Sequence, residues 1–164
     1  MLSYKLVHLI QYQSDSLAAS LLRQVQKSER AEAYCNVSPA ELKERVYEIY
    51  HHLSTWLEKS EGDIEQRYTA IGARRSEQGV RLSEVVWVIM LTKYNLCEFI
   101  NEVSFGGRPV DISEKRELLQ LLDQFFDQAI HATVVGYERA REASARIKVH
   151  DAESQLALGW SVAI

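Results

Sequence analysis

Four charged side chains fall where the helical periodicity of the sequence expects apolar residues. Arg75 lies in the apolar stripe of its helix when residues are placed at 100° intervals. Lys93 lies on the apolar face of the next helix, Asp123 lies on that of the last helix, and Asp127 lies at the edge of the same apolar arc. The periodicity therefore predicts four charges that point inward.

A buried charge needs a partner, because an unpaired one costs several kcal/mol. One interpretation is a structural ion-pair network, with Arg75 bonded to Asp127 and Lys93 bonded to Asp123. The other is a polar cavity that captures a small anionic or polar ligand. The two are compatible, because breaking an ion pair between helices is one way to bias a two-state bundle.

Four aromatic side chains suggest a second candidate site, an aromatic pocket made by Trp56, Tyr68, Trp87 and Tyr94. Aromatic residues at helical spacing more often belong to an ordinary core. Both interpretations stay open from the sequence.

Metal and haem sites receive little support. Glu48 and His51 have the Glu-x-x-His spacing of di-iron bundles, but such a site needs a second copy of the motif, and the pair is predicted to face solvent. A haem pocket needs an inward proximal histidine. His8 and His131 project away from their apolar stripes, which leaves only His52 at the edge of its stripe.

Catalytic motifs are also missing from the sequence. It contains no Gly-x-Ser-x-Gly elbow, no Gly-rich phosphate loop, and no Ser/His/Asp or Cys/His set on one predicted face. Cys35 and Cys97 lack metal-ligand spacing. The sequence predicts a protein that is not an enzyme and that has no metal and no cofactor.

Composition and net charge exclude further classes of function. The 164 residues suit one domain with a sizeable core, and the net charge of −4 gives no attraction to nucleic acid or to anionic membranes. No apolar run approaches the roughly 18 residues of a membrane span. We expect a cytoplasmic protein that binds neither nucleic acid nor membrane.

The periodicity is helical almost throughout. Ser38, Pro39 and Glu41 form a capping box that starts a helix, and Gly79 is a left-handed cap that ends one. The predicted helices span about 3–28 with a break near 14–16, then 38–59, 63–78, 83–105 and 112–148. The fold class is therefore an all-α bundle of about five to six helices with a long C-terminal helix.

The C-terminal part differs from the rest. Beyond Tyr137 the long helix is polar and is expected to leave the bundle, and from Leu156 the apolar residues alternate with a period of two. The predicted organisation is a single sensor-like helical domain over residues 1–148 and an apolar tail over residues 149–164, which is expected to be extended from Leu156.

Three stretches resemble a known family. Residues 71–87, IGARRSEQGVRLSEVVW, are similar to the signature of the RsbT co-antagonist RsbRD N-terminal domain family. LDQFFDQAI at 122–130, followed by Tyr137 and Glu138, resembles its last helix, and SPAELKERVYEIYHHLSTWLE at 38–58 resembles an early one. The likeness covers roughly residues 2–141.

The resemblance implies an all-helical input domain of bacterial signalling proteins, usually fused to an output module. Because no output module follows here, the expectation is that the chain acts on a partner in trans or is a piece of a longer protein. The resemblance supplies no catalytic residue. It marks Arg75, Gly79, Glu84, Asp127 and Tyr137 as family-like positions that are structural or signal-transmitting.

The leading hypothesis is a signalling domain that binds a small ligand or docks a regulatory partner, and that transmits a helix movement. Its candidate ligand or signal-coupling residues are Arg75, Lys93, Asp123, Asp127, Glu84, Trp87 and Tyr137. The alternative is a scaffolding module that forms a homodimer through its last helix and tail. A haem- or metal-binding sensor is the third, weaker hypothesis.

Overall fold

The protein is all-α in the computed structural model, which describes residues 4–105 and 112–161. The predicted fold class is confirmed. The described residues form α1 (Tyr4–Tyr12), α2 (Ser14–Lys27), a 3-10 segment (Glu29–Asn36), α3 (Pro39–His51), α4 (Leu53–Glu58), α5 (Glu61–Glu77), α6 (Leu82–Phe105) and α7 (Ile112–Ser161).

The region between α2 and α3 differs from the prediction. The sequence suggested a plain linker, but Glu29–Asn36 forms 3-10 helix with a kink at Ala31, where φ is −133° and ψ is 33°. Ala31 and Tyr34 are buried, so this segment contributes side chains to the core. The predicted interruption of the first helix is confirmed at Gln13.

The helix that begins at Pro39 ends earlier than predicted. The Ser38 hydroxyl accepts a hydrogen bond from the Glu41 N–H, which confirms the predicted N-cap. The chain then leaves helical geometry at His52, with φ −112° and ψ 28°, instead of continuing to about residue 59. This break lets Leu53 and Trp56 of α4 turn into the core, where both are buried.

The turn from α5 to α6 has the predicted glycine cap. Gly79 has a φ of 73°. Its N–H donates to the Ser76 carbonyl at 3.1 Å, and the Val80 N–H donates to the Arg75 carbonyl at 3.1 Å. These two bonds define a Schellman motif, which ends α5 and fixes the path of the chain into α6.

The last helix is longer than the sequence predicted. It continues without a break through Ser161, so the extended conformation predicted from Leu156 was wrong as far as that residue. The rest of the predicted tail, residues 162–164, lies outside the described residues. Residues 150–158 contain alanine, leucine, glutamate and glutamine, whose helix propensity outweighs a short alternation of apolar residues. Residues 138–159 are exposed apart from the half-buried Ala140, which confirms that this part of α7 leaves the bundle.

The backbones of α5 and α7 approach each other very closely. A Cβ atom on Gly72 would lie 2.0 Å from the Thr133 carbonyl oxygen, and one on Gly136 would lie 2.0 Å from that of Thr69. The innermost side chains of the core are Ile10, Leu21, Tyr50, Leu53, Leu96, Ile100, Leu118, Leu122 and Phe126.

Candidate functional site

The candidate site is centred on the carboxylate of Glu41 in the first turn of α3. Arg75, from the last turn of α5, places Nη1 2.9 Å from Glu41 Oε1. The neighbouring Arg74 binds both carboxylate oxygens, with Nε at 2.8 Å from Oε1 and Nη2 at 2.9 Å from Oε2. The predicted pair of Arg75 with Asp127 was therefore wrong, because Glu41 takes that place and Asp127 is exposed.

The two arginines differ greatly in burial. The Arg75 side chain is 3% exposed, whereas that of Arg74 is 50% exposed. Hydrogen bonds from Arg74, and then those from Arg75, hold the pKa of Glu41 far below its usual range. Gln78 also accepts a bond from Arg75 and donates one to Glu41. The buried guanidinium is thus neutralised and well supplied with acceptors.

Tyr34 of the 3-10 segment covers the other side of this arginine. The Arg75 Cζ atom lies 5.7 Å from the centre of the Tyr34 ring, within cation–π distance. Burial raises the pKa of Tyr34 to about 12, although the nearby Arg75 acts in the opposite direction. Arg75 therefore connects three elements: α5, the start of α3 and the 3-10 segment.

Glu84 lies in the first turn of α6, which follows the α5–α6 turn in the chain. Glu84 is a charged side chain, yet it is only 4% exposed. Its Oε2 accepts the Ala33 N–H at 2.7 Å, and its Oε1 lies 3.1 Å from Arg81 Nε. The 3-10 segment covers this part of α6, and periodicity within one helix does not contain that information.

Trp87 makes a second contact with the same region. Its Nε1 donates to Ser28 Oγ at 2.9 Å, and Arg30 Cζ lies 4.7 Å from the centre of its ring. Trp87 and Glu84 are about one helical turn apart on α6. Together these two side chains hold the 3-10 segment, and Ser28 just before it, against α6.

Tyr137 connects the turn to α7. Its hydroxyl donates to the Val80 carbonyl oxygen at 2.8 Å, in a buried environment. Val80 follows the capping glycine directly and is itself fully buried. The bond fixes α7 to the α5–α6 turn next to the close approach of Gly72 and Gly136.

The predicted pair of Lys93 and Asp123 is confirmed, with 2.7 Å between Lys93 Nζ and Asp123 Oδ1. Its position is not the predicted one. The Lys93 side chain is 24% exposed and that of Asp123 is 58% exposed, so the pair lies at the edge of the α6–α7 contact. The hydrogen bond to Asp123 raises the pKa of Lys93.

The structure thus divides the predicted residues into two groups. Arg75, Glu84, Trp87 and Tyr137 surround the α5–α6 turn, whereas Lys93, Asp123 and Asp127 lie on the outside of α6 and α7. Their role in ligand binding or signal coupling stays a prediction.

The sequence interpretation missed Glu41, because its place in the capping box already explained it. The two successive arginines in the last turn of α5, Arg74 and Arg75, are the signal from which a carboxylate partner could have been predicted.

The four aromatic residues do not form one pocket. Trp56 and Tyr68 pack on Phe125, with ring centroids 6.3 and 5.8 Å apart, and belong to the core. Tyr94 is 49% exposed, and Trp87 lies against the 3-10 segment.

The residues considered for metal and haem have other surroundings. Glu48 binds Arg67 at 2.6 Å, and His51 Nδ1 lies 3.3 Å from the Tyr47 hydroxyl. His52, the one candidate for an inward histidine, is exposed. Over residues 4–105 and 112–161, no group of three His, Cys, Asp or Glu side chains is placed to hold a metal ion.

Comparison with protein families gives one match. The model of the RsbT co-antagonist protein rsbRD N-terminal domain matches residues 15–149. The chain belongs to this family. The match includes all seven predicted site residues as well as Glu41, and it confirms the resemblance seen in the sequence. Neither the curated proteins nor the solved structures give a match.

Membership of the RsbRD N-terminal domain family makes the chain a regulatory domain of signal transduction. Within the described parts of the chain, none of the helices combines the length and the apolar character needed to cross a bilayer.

Proposed function

We propose that this RsbRD N-terminal domain is a non-enzymatic bacterial signalling domain of the cytoplasm. It senses a small ligand or docks a regulatory partner, and it transmits the event as a movement of α7. The partner is a regulatory protein or an output domain supplied in trans. The family supports a regulatory role in signalling, and the geometry of α7 supports the mechanism.

The observation that carries the proposal is the division of α7 into two parts. Its first half lies in the core through Leu118, Leu122, Phe126 and Ala129. The same continuous helix then extends beyond Tyr137 with its side chains exposed as far as residue 159. A rigid helix that is packed at one end and free at the other carries any rotation or shift of its packed half outward.

The contacts of the α5–α6 turn provide the coupling. Tyr137 binds the turn directly through Val80, and Arg75 connects the preceding helix to Glu41 of α3. The two contacts are linked, because the Val80 N–H donates a hydrogen bond to the Arg75 carbonyl oxygen at 3.1 Å. We call Tyr34, Glu41, Arg75, Glu84 and Tyr137 the junction cluster.

Spin-label distances test this mechanism. Nitroxides are placed at the exposed positions Glu65 on α5 and Ser154 on α7, in a protein whose natural cysteines have been replaced by serine. Glu41→Gln weakens the junction cluster, and we expect it to shift or split the distance distribution between the labels. Glu44→Gln changes an exposed glutamate of the same helix and serves as the control. An unchanged distribution in a folded Glu41→Gln protein contradicts transmission through α7.

A scaffolding function is the second candidate, because the exposed part of α7 carries large apolar side chains. Ile147, Val149, Leu156 and Leu158 are between 58% and 69% exposed. At 100° per residue, Val149 and Leu156 lie on one side of the helix, and Ile147 and Leu158 lie on the opposite side. The spacing of seven residues between Val149 and Leu156 is typical of a coiled-coil seam between two copies.

Light scattering separates the two functions. A dimer held by the Val149 side of the helix should dissociate in the double variant Val149→Ser/Leu156→Ser. It should persist in Ile147→Ser/Leu158→Ser, which removes similar apolar area from the opposite side. A protein that ends at Gln155 lacks Leu156, one of the two seam residues, and its dimer should dissociate more readily. A full-length protein that is monomeric at all concentrations excludes the scaffolding function.

A further inference from the structure

An open groove of about 520 Å³ lies next to the junction cluster. The end of α2, the 3-10 segment and the start of α3 form its walls. Apolar side chains from all three elements face it, among them Leu22, Val25, Ala31, Val37 and Leu42. This volume and this mainly apolar lining are typical of sites for small molecules.

The charges of the groove favour a particular class of ligand. Lys27, Glu29 and Glu32 all line it, and all three are exposed. Two carboxylates against one ammonium group leave a net charge of −1 at its edge. A positively charged ligand gains from this balance, whereas a carboxylate ligand meets repulsion. The shape and the charge together suit a small apolar molecule that carries an amine.

The groove is connected to the junction cluster by named contacts. Ser28 lines the groove and accepts the hydrogen bond from Trp87. Tyr34 also lines it, and the same ring lies beside the guanidinium of Arg75. Between them, Ala33 donates its N–H to Glu84. A ligand that displaces the 3-10 segment therefore disturbs three contacts with α5 and α6.

We propose that this groove is the ligand site of the domain and that it binds small apolar amines. The proposed binding of an amine does not depend on the proposed function. Its consequence, a displacement of α7 through the 3-10 segment and the α5–α6 turn, rests on the proposed function.

Three probes that differ only in their polar end test the binding step: n-octylamine, 1-octanol and octanoate. The measurement is the rate at which iodoacetamide alkylates Cys35, which is exposed and lines the groove. Cys97, half-buried on α6 and outside the groove, is the internal control in the same sample. We expect octylamine to slow the alkylation of Cys35 at the lowest concentration, octanol to need more, and octanoate to need the most.

The matched variants test the role of charge. Glu29→Gln/Glu32→Gln removes both carboxylates of the groove and should weaken octylamine binding about fivefold, because each exposed charge pair contributes modestly. Octanol binding should not change. Glu58→Gln/Glu65→Gln removes two exposed carboxylates elsewhere and should leave both probes unaffected.

Equal protection of Cys35 by the three probes, stronger protection by octanoate, or no protection by any of them overturns the proposal. The coupling is measured separately, with octylamine added to the protein labelled at Glu65 and Ser154. Protection of Cys35 without a change in the label distance supports the ligand site and contradicts transmission through α7. If the label distance responds to Glu41→Gln while none of the probes protects Cys35 in the protein that keeps its natural cysteines, the result supports transmission and overturns the site.

Discussion

The Glu41 carboxylate accepts a hydrogen bond from the buried guanidinium of Arg75 at 2.9 Å, and so joins the first turn of α3 to the last turn of α5. Each residue also lies at the end of its helix that suits its charge, the anion at an N-terminus and the cation at a C-terminus. The pair therefore satisfies a buried charge and fixes two helices relative to each other.

This relationship predicts a dependence of stability on pH. The folded state lowers the pKa of Glu41, so its contribution to stability is present above the pKa of about 4.3 in the unfolded chain and is lost as the pH falls below it. Glu41→Gln cannot ionise. We expect it to lower the free energy of unfolding by about 1.5–3 kcal/mol at pH 7, with the difference from wild type shrinking below about pH 4.5.

Urea denaturation at pH 7 and at intervals down to pH 3 measures this difference. Glu44→Gln is the control, because Glu44 is exposed on the same helix and should change the stability little at any pH. If the difference in the free energy of unfolding between Glu41→Gln and wild type stays constant down to pH 3, ionisation of Glu41 does not explain the loss of stability in acid.

Burial predicts different costs for the two arginines that share this carboxylate. Arg75→Glu places a second carboxylate beside Glu41 in a site that is almost closed to solvent, and we expect a loss of roughly 3–5 kcal/mol. Arg74→Glu introduces the same charge at a half-exposed position, where solvent screening should make the loss much smaller. Thermal and urea unfolding of both variants measure the difference, and equal losses contradict the importance of burial.

The helices and their caps were predictable because they depend on local sequence. Apolar residues at helical spacing predicted α5, α6 and the packed half of α7, and Gly79 marked its turn because only a left-handed residue closes that motif. The inward position of Arg75 followed from the same periodicity and is confirmed by its exposure of 2%.

The partners of these residues were not predictable, because they come from distant parts of the chain. Glu41 is 34 positions from Arg75, and Ala33 is 51 positions from Glu84. Periodicity identifies a face but not the element that covers it, so it placed Asp123 in the core and did not reveal that the 3-10 segment covers Glu84. The alternation of apolar residues near Leu156 predicted an extended segment, but the chain is helical there. A few residues with period two do not outweigh neighbours of high helix propensity.

The contact between α5 and α7 predicts a strong effect of a single methyl group. Gly72→Ala puts a Cβ atom 2.0 Å from the Thr133 carbonyl oxygen, a backbone atom that cannot rotate away. The two helices must separate, and we expect a loss of about 1–3 kcal/mol or more. Gly62→Ala on the same helix is the control, because its Cβ would meet only Ser60 at 4.0 Å, and it should gain up to about 1 kcal/mol. Urea unfolding that gives both variants the same stability contradicts the close approach.

The hydrogen bond from Tyr137 to Val80 predicts a local effect at the α5–α6 turn. Tyr137→Phe keeps the ring and removes the hydroxyl, which leaves a buried carbonyl without its donor, so we expect a loss of about 1–2 kcal/mol. Tyr94→Phe removes a hydroxyl from a side chain that is 49% exposed and should cost almost nothing. Hydrogen exchange by mass spectrometry should show faster exchange at the turn, near residues 78–82, in Tyr137→Phe alone. If exchange there does not change while the overall stability falls, Tyr137 supports the core but does not hold α7 to the turn.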